Sequence, residues 1–180
     1  YTVVICNFEM GDTLSESVRS IYTQLTKEFE ILVVDGGSSD NSITELNKLE
    51  DKFDRVRSIR LDQESQRRLG EERNVGVRGA HGEYILLQMD ADDRYDGGIL
   101  EFVEVYHQIE NRIEEKFYLK GNAINMTPRD FLIKRGPDRN IHAGEDEDLW
   151  RRLFADHVII WLDHESFVEE IKNYKSGIYS

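Results

Sequence analysis

The sequence predicts an α/β fold with a mostly parallel central sheet flanked by helices. Short apolar runs alternate with segments of helical periodicity in a βαβαβαβ rhythm. The runs TVVIC, FEILVVD and YILLQMD are nearly continuous in apolar character, as strands covered on both faces must be. Polar and acidic residues gather directly after these runs, at the carboxyl ends of strands, where such sheets bind ligands.

Taken in order, TVVIC is the first strand and residues from about Thr13 to Lys27 form the first helix, with Leu14, Val18, Ile21, Tyr22 and Leu25 on one face. Thr13 and Glu16 have the spacing of a capping box. The second strand, FEILVVD, enters GGSSDNS, whose glycines permit a sharp turn and whose Ser39 or Asp40 can cap a second helix. RVRSIRL, a third helix and YILLQMD follow. Beyond them come a helix through Leu100, Val103 and Tyr106, a strand-like KFYLKGNAINM, and TPRDFLIKRG, where Thr127 suits a cap and Pro128 a first helical position. AGEDEDLWRRL begins a last helix that would pack Leu149, Trp150, Leu153 and Phe154 on the sheet.

The 180 residues, 39% hydrophobic, suit one globular domain with a substantial core. A formal net charge of −13 argues against a nucleic-acid partner, because that binding rests on neutralising phosphates. The lone Cys6 excludes an internal disulfide and reads as a small buried residue. No run approaches a membrane span, and the start has no signal-peptide pattern. The chain begins on an apolar run without Met, which fits a piece of something longer.

The segment LLQMDADDRYDGG places Asp90, Asp92, Asp93 and Asp96 at a strand end with little basic residue to balance them. Each acid raises the cost of ionising its neighbours, so a cation is missing from the sequence. Hard divalent ions such as Mg²⁺ and Mn²⁺ take such oxygen ligands, often together with substrate phosphates. Asp96 fits a cap of the helix that follows near Gly97.

VVICNFEMGDTLSESVRSIYTQ, FEILVVDGGSSDNS, GEERNVGVRGAHGEYILLQMDADDRYDGG and AGEDEDLWRRL occur in this order and spacing. Together they resemble a family 2 glycosyltransferase of the GT-A, Rossmann-like fold. The resemblance implies inverting transfer of a sugar from a nucleotide-diphosphate donor to a hydroxyl of a glycan, a lipid-linked or another acceptor, assisted by Mn²⁺ or Mg²⁺. It divides the chain into a nucleotide-sugar half, about residues 1–93, and an acceptor half, about 94–180. It implies a cytoplasmic enzyme, compatible with peripheral association at the inner face of the membrane.

By the same likeness Asp90-Ala91-Asp92 is the Asp-x-Asp motif, Asp92 reaching the metal and Asp90 the ribose or the metal's water shell. Asp93 reads as a surface residue of that loop. Asn7, Phe8, Glu9 and Asp35 match base-pocket positions, Asp35 accepting from a base N–H, and Arg73 lies along the base or phosphates. Asp146 is the general base beside Glu145, and His142 is in reach of acceptor or diphosphate. Two departures bear on the nucleotide: Cys6-Asn7-Phe8-Glu9 stands where many relatives have Pro-Thr-Tyr-Asn, and Gly36 where many have a second acid. UDP is favoured over GDP or dTDP. The competing readings are a degenerate, non-catalytic nucleotide-binding or scaffolding module and a sugar nucleotidyltransferase.

Overall fold

The computed structural model describes residues 1–62, 69–135 and 144–171. The elements run β1 (Thr2–Asn7), α1 (Gly11–Tyr22), β2 (Glu30–Asp35), α2 (Ser42–Lys52), β3 (Val56–Arg60), α3 (Leu69–Gly79), β4 (Tyr84–Asp90), β5 (Asp93–Tyr95) and α4 (Ile99–Glu110). They continue with β6 (Tyr118–Lys120), β7 (Asn125–Pro128), α5 (Arg129–Arg135), α6 (Glu145–Ala155), β8 (Ile159–Trp161) and β9 (Val168–Glu170). A seven-stranded sheet has the order β3-β2-β1-β4-β7-β6-β8. β1 to β4 are mutually parallel and β7 alone runs against its neighbours, as the expected mostly parallel sheet requires.

The chain steps outward from β1 to β2 and β3, then returns to place β4 on the other side of β1. The carboxyl ends of β1 and β4 therefore flank a switch point, where connections leave in opposite directions and open a crevice. Strand alternation divides the core between the faces. Val3, Ile5, Ile31 and Val33 join Leu14, Val18 and Ile21 of α1 on one face, while Val4, Leu32 and Val34 join Val77, Leu132, Leu149 and Leu153 on the other. Each of the fully buried Leu14, Val18 and Ile21 contributes about 1.5–3 kcal/mol by leaving water. Cys6 is buried, as expected.

β4 carries one extra residue. Val3 and Ile5, two apart in β1, face Leu86 and Met89, three apart in β4. Gln88 absorbs the difference at φ 60°, a left-handed conformation unusual for a side chain of its size. Without this bulge the pleat would put Met89 on the face of Leu87; with it, Met89 rejoins Leu86. The Gln88 side-chain oxygen accepts from the Asn125 amide and from the Tyr118 hydroxyl, which holds the bulge in place.

Several boundaries differ from expectation, each because a tertiary contact supplied what local sequence did not. α1 starts at Gly11, and Thr13 lies inside it with its hydroxyl donating to the Met10 carbonyl, so no Thr13–Glu16 capping box forms. Asp40 does the capping from the neighbouring loop: Oδ2 accepts from Gly11 N at 2.9 Å and Oδ1 from Ser42 N at 2.9 Å, serving the starts of α1 and α2 together. Burial raises the Asp40 pKa, but the Ser42 hydroxyl and the backbone N–H groups of Gly11 and Ser42 outweigh it and leave it lowered. Gly11 is needed for this junction, since a Cβ there would sit 2.1 Å from the Asn41 side-chain oxygen.

α1 ends at Tyr22, leaving Leu25 buried beyond it rather than on its face. Thr127 and Pro128 belong to β7, where the Thr127 hydroxyl donates to the Phe117 carbonyl, so α5 begins only at Arg129. Asp96 does not cap α4; it holds Arg94 through two bonds of 2.9 and 3.0 Å. Leu149 and Leu153 of α6 are buried as expected, but Phe154 is 67% exposed because it lies on the opposite side of the helix.

Candidate active site

Three loops meet at the carboxyl edge of the sheet. β1 and β2 end side by side, Asn7 opposite Asp35, and Cys6 pairs with Asp90 at the end of β4. Asp35 is completely buried. Its Oδ2 accepts from Asn7 Nδ2 at 2.6 Å and from the Ser38 hydroxyl at 2.7 Å, and its Oδ1 from Gly37 N and Ser38 N. Both oxygens are thus engaged by the chain, and Asp35 folds the glycine turn back against β1. These bonds from its own loop were not visible in the sequence.

Glu9 reaches across to the same turn. It takes φ 54°, its Oε1 accepts from Ser39 N at 2.7 Å and from the Ser39 hydroxyl at 2.9 Å, and its own N–H donates to the Ser38 hydroxyl. Asn7 is buried, and its Oδ1 has no hydrogen-bond partner among the described residues. Phe8, between them, is half-buried and gives the rim a flat apolar surface. These four residues are brought together; Asn7, Glu9 and Asp35 build the wall.

The acids after β4 converge as their spacing suggested. One carboxylate oxygen each from Asp90, Asp92 and Asp93 lies within 4.8 Å of the others, a set of hard oxygen donors that fits Mg²⁺ or Mn²⁺. Asp93 is not a surface residue of the loop: it begins β5, pairs with Glu170 of β9 and is only 6% exposed. The negative potential is felt by the buried Tyr95 phenol, whose pKa is pushed up first by burial and then by Asp93, Asp90 and Asp92.

The loop is fixed from both sides by groups that sequence reasoning missed. From α1 Ser17 donates to the Asp90 carbonyl and Ser20 accepts from Tyr95 N, and from the turn after it Gln24 donates to the Tyr95 carbonyl at 2.6 Å. From the other side Ile171 N donates to the Asp92 carbonyl and Asp96 N to the Phe167 carbonyl, bordering the short sheet β5-β9. Ser17 and Ser20 follow helical spacing on one flank of α1, a trace of this role in the sequence.

Arg73 is buried within α3. It is 7% exposed and donates from Nη1 to Glu145 Oε1 at 2.6 Å, bracing α3 against the first turn of α6. Burial of α3 against the sheet allows this reach, because Gly76 brings the helix so close to β1 that a Cβ would meet Val4 at 2.3 Å. Glu145 is thereby a strut. Asp146, next to it, is half-exposed, with Oδ1 accepting from Glu147 N at 2.7 Å. His142 lies outside the described residues.

The arrangement offers a carboxylate cluster for a cation at one wall of the crevice and a solvent-reaching carboxylate at the start of α6. The chain is similar to known proteins in sequence and in fold. The model of glycosyl transferase family 2 matches residues 2–138. A cholesterol galactosyltransferase of Borreliella burgdorferi is 28% identical over 133 residues, 73% of this chain and 36% of that protein. Among solved structures, S. aureus TarS 1-349 in complex with UDP-GlcNAc aligns at TM-score 0.77 and 17% identity, covering 99% of this chain and 61% of that one. The mannosyltransferase PcManGT of Pyrobaculum calidifontis, in complex with GDP-Man and Mn²⁺, aligns at 0.75 and 14% identity, covering 96% and 57%. The fold these structures share is GT-A, and the chain spans less than two thirds of their length.

Proposed function

Because the chain belongs to glycosyltransferase family 2, we propose that it performs inverting transfer of a sugar from a nucleotide-diphosphate donor, a UDP-sugar, to an acceptor hydroxyl with help from Mn²⁺ or Mg²⁺. The observation that carries this reading is the approach of Asp90, Asp92 and Asp93 to within 4.8 Å at the switch point of the sheet. Asp92 and Asp90 would hold the cation, and the buried Asp93 completes the donor set. When bound, the cation would neutralise charge gathering on the departing diphosphate.

The chain's own residues supply the rest. Phe8 offers the base a surface to lie on, while Asn7, Glu9 and Asp35 keep that wall in shape. Arg73 and Glu145 fix the start of α6, and Asp146 beside them would serve the acceptor side. An inverting displacement needs an acceptor oxygen attacking opposite the leaving group, and that oxygen must give up its proton. Asp146, as a carboxylate reached by solvent, is the group to accept it. The donor half would run to about residue 93 and the acceptor half from about 94. UDP-GlcNAc in the TarS complex supports a uridine donor, and Mn²⁺ in PcManGT supports the metal. A glycan or lipid-linked acceptor suits a cytoplasmic enzyme at the inner face of a membrane, and among the described residues no helix is long and apolar enough to cross one.

Thermal shift against UDP, GDP, CDP and dTDP, each with and without Mn²⁺, tests the reading. UDP with Mn²⁺ should give the largest stabilisation, since a ligand of the native state alone raises its apparent stability. Nucleotide binding indifferent to metal would sink the assignment of the acids.

A further inference from the structure

We propose that the groove formed by Trp150, Phe154 and Trp161 is a subsite for a sugar residue of the acceptor, remote from the residue that receives the transferred sugar. This rests on the placement of the acceptor side at α6 in the reading above. The groove encloses about 370 Å³ and is lined by these three rings together with Glu147 and Arg151. Phe154 is 67% and Trp161 61% exposed, which is costly for large apolar side chains unless something covers them.

The rings are held in position. Trp150 and Trp161 meet edge to face at 6.3 Å and 66°, and the Lys120 ammonium stands 4.3 Å from one ring centre and 4.6 Å from the other. Lys120 Nζ is also tied to the Gly121 carbonyl at 3.3 Å. A fixed pair of aromatic rings loses little freedom on binding and favours a ligand with a flat apolar face.

Location gives the ligand class. β6 and β4 both run against β7, and β8 runs with β6, so Lys120, Trp161 and Asp90 terminate strands at the same edge of the sheet. β8 lies three strand spacings from β4, about 14 Å. Trp150 follows Asp146 by four residues, one helical turn or about 6 Å further along α6. An extended glycan whose terminal hydroxyl reaches Asp146 would pass over these rings. A pyranose carries an apolar C–H face for the rings and a rim of hydroxyls for the Glu147–Arg151 pair, whose charges are 3.0 Å apart. An anionic lipid surface fits less well, because the chain's net charge is −13 and Arg151 is already engaged by Glu147.

The two tryptophans of the chain both line this groove, so intrinsic tryptophan emission reads its occupancy directly. The experiment is a titration of the protein with cellotetraose, chitotetraose and maltotetraose, followed by emission, with UDP–Mn²⁺ thermal shift measured in parallel. At least one tetrasaccharide should change the emission saturably. Phe154→Ala, which keeps both reporters and removes an exposed ring, should weaken that binding at least about fivefold with the UDP–Mn²⁺ shift intact. Trp161→Ala should do the same by calorimetry, and Trp161→Phe should restore part of the affinity. If UDP–Mn²⁺ stabilises the protein while none of the three sugars alters the emission, the subsite is refuted. If a sugar binds the groove but UDP–Mn²⁺ gives no shift, the transferase reading fails and the acceptor role of the groove is overturned with it, leaving a sugar-binding groove of other purpose. Emission changes with phosphatidylglycerol vesicles, or with protein concentration alone, and none with sugars, would assign the groove to a membrane or to a second copy and overturn the proposal.

Discussion

Glu145→Gln is the substitution that most directly separates strut from catalyst. In the parent the Glu145 carboxylate and the Arg73 guanidinium are 2.6 Å apart, with side chains 5% and 9% exposed. Gln has nearly the same volume, so no cavity opens; what changes is that the guanidinium keeps its charge in a place that water scarcely reaches. Removing one partner of a buried pair costs about 3–5 kcal/mol, and because Gln can still accept a hydrogen bond the lower end, about 3 kcal/mol, is expected. A domain's total stability is only about 5–15 kcal/mol, so this loss is large. In urea, with a slope of about 1–3 kcal/mol per molar, the unfolding midpoint should fall by about 1 M or more. The double variant Arg73→Met/Glu145→Leu removes both charges and should lie closer to the parent than either single variant, giving a coupling energy above about 2 kcal/mol. A Glu145→Gln midpoint within about 0.3 M of the parent would refute the strut, and with it the account of how α6 is aimed.

The other predictions follow from the same geometry. Asp146→Asn should keep UDP–Mn²⁺ binding and the parental unfolding midpoint but lose transfer by at least about a hundredfold, whereas Asp148→Asn, whose carboxylate is occupied by Arg152 at 3.0 Å, should lose much less. Transfer near the parental rate in Asp146→Asn would remove it as the base. Asp92→Asn and Asp93→Asn should each abolish most of the metal-dependent part of the UDP thermal shift; since Asp93 is buried in the same cluster, a normal response in Asp93→Asn would limit the site to Asp90 and Asp92. At the opposite edge of the sheet burial raises the pKa of Glu30, but Arg57, Thr2 and the His81 N–H outweigh it and bring it down to about 2. A depressed carboxylate stabilises fully above its unfolded pKa near 4.5 and loses that contribution as pH falls towards 2. Discounted for partial exposure, about 1 kcal/mol of stability should disappear in that window, and Glu30→Gln should flatten the acid limb of the stability curve.

The sequence by itself determined the layering of the fold and the place of the site. Continuous apolar runs separated by amphipathic helices can be buried only as parallel strands covered on both faces, and that periodicity is local, written within each segment. The clustering of Asp90 and Asp92 at a strand end was legible for the same reason, since a strand end and its next few residues stay together whatever the rest of the chain does. What the chain does between distant segments was not legible. Asp40 caps two helices from outside both, Asp35 binds its own turn, Asp93 is buried by pairing with a strand some seventy-five residues later, and Arg73 finds Glu145 on a neighbouring helix of the same layer. Each of these depends on a charge meeting a partner brought near only by packing, and a carboxylate's chemistry is set by what surrounds it. Residue types and spacing therefore located the acids, while the tertiary structure decided which of them hold the protein together.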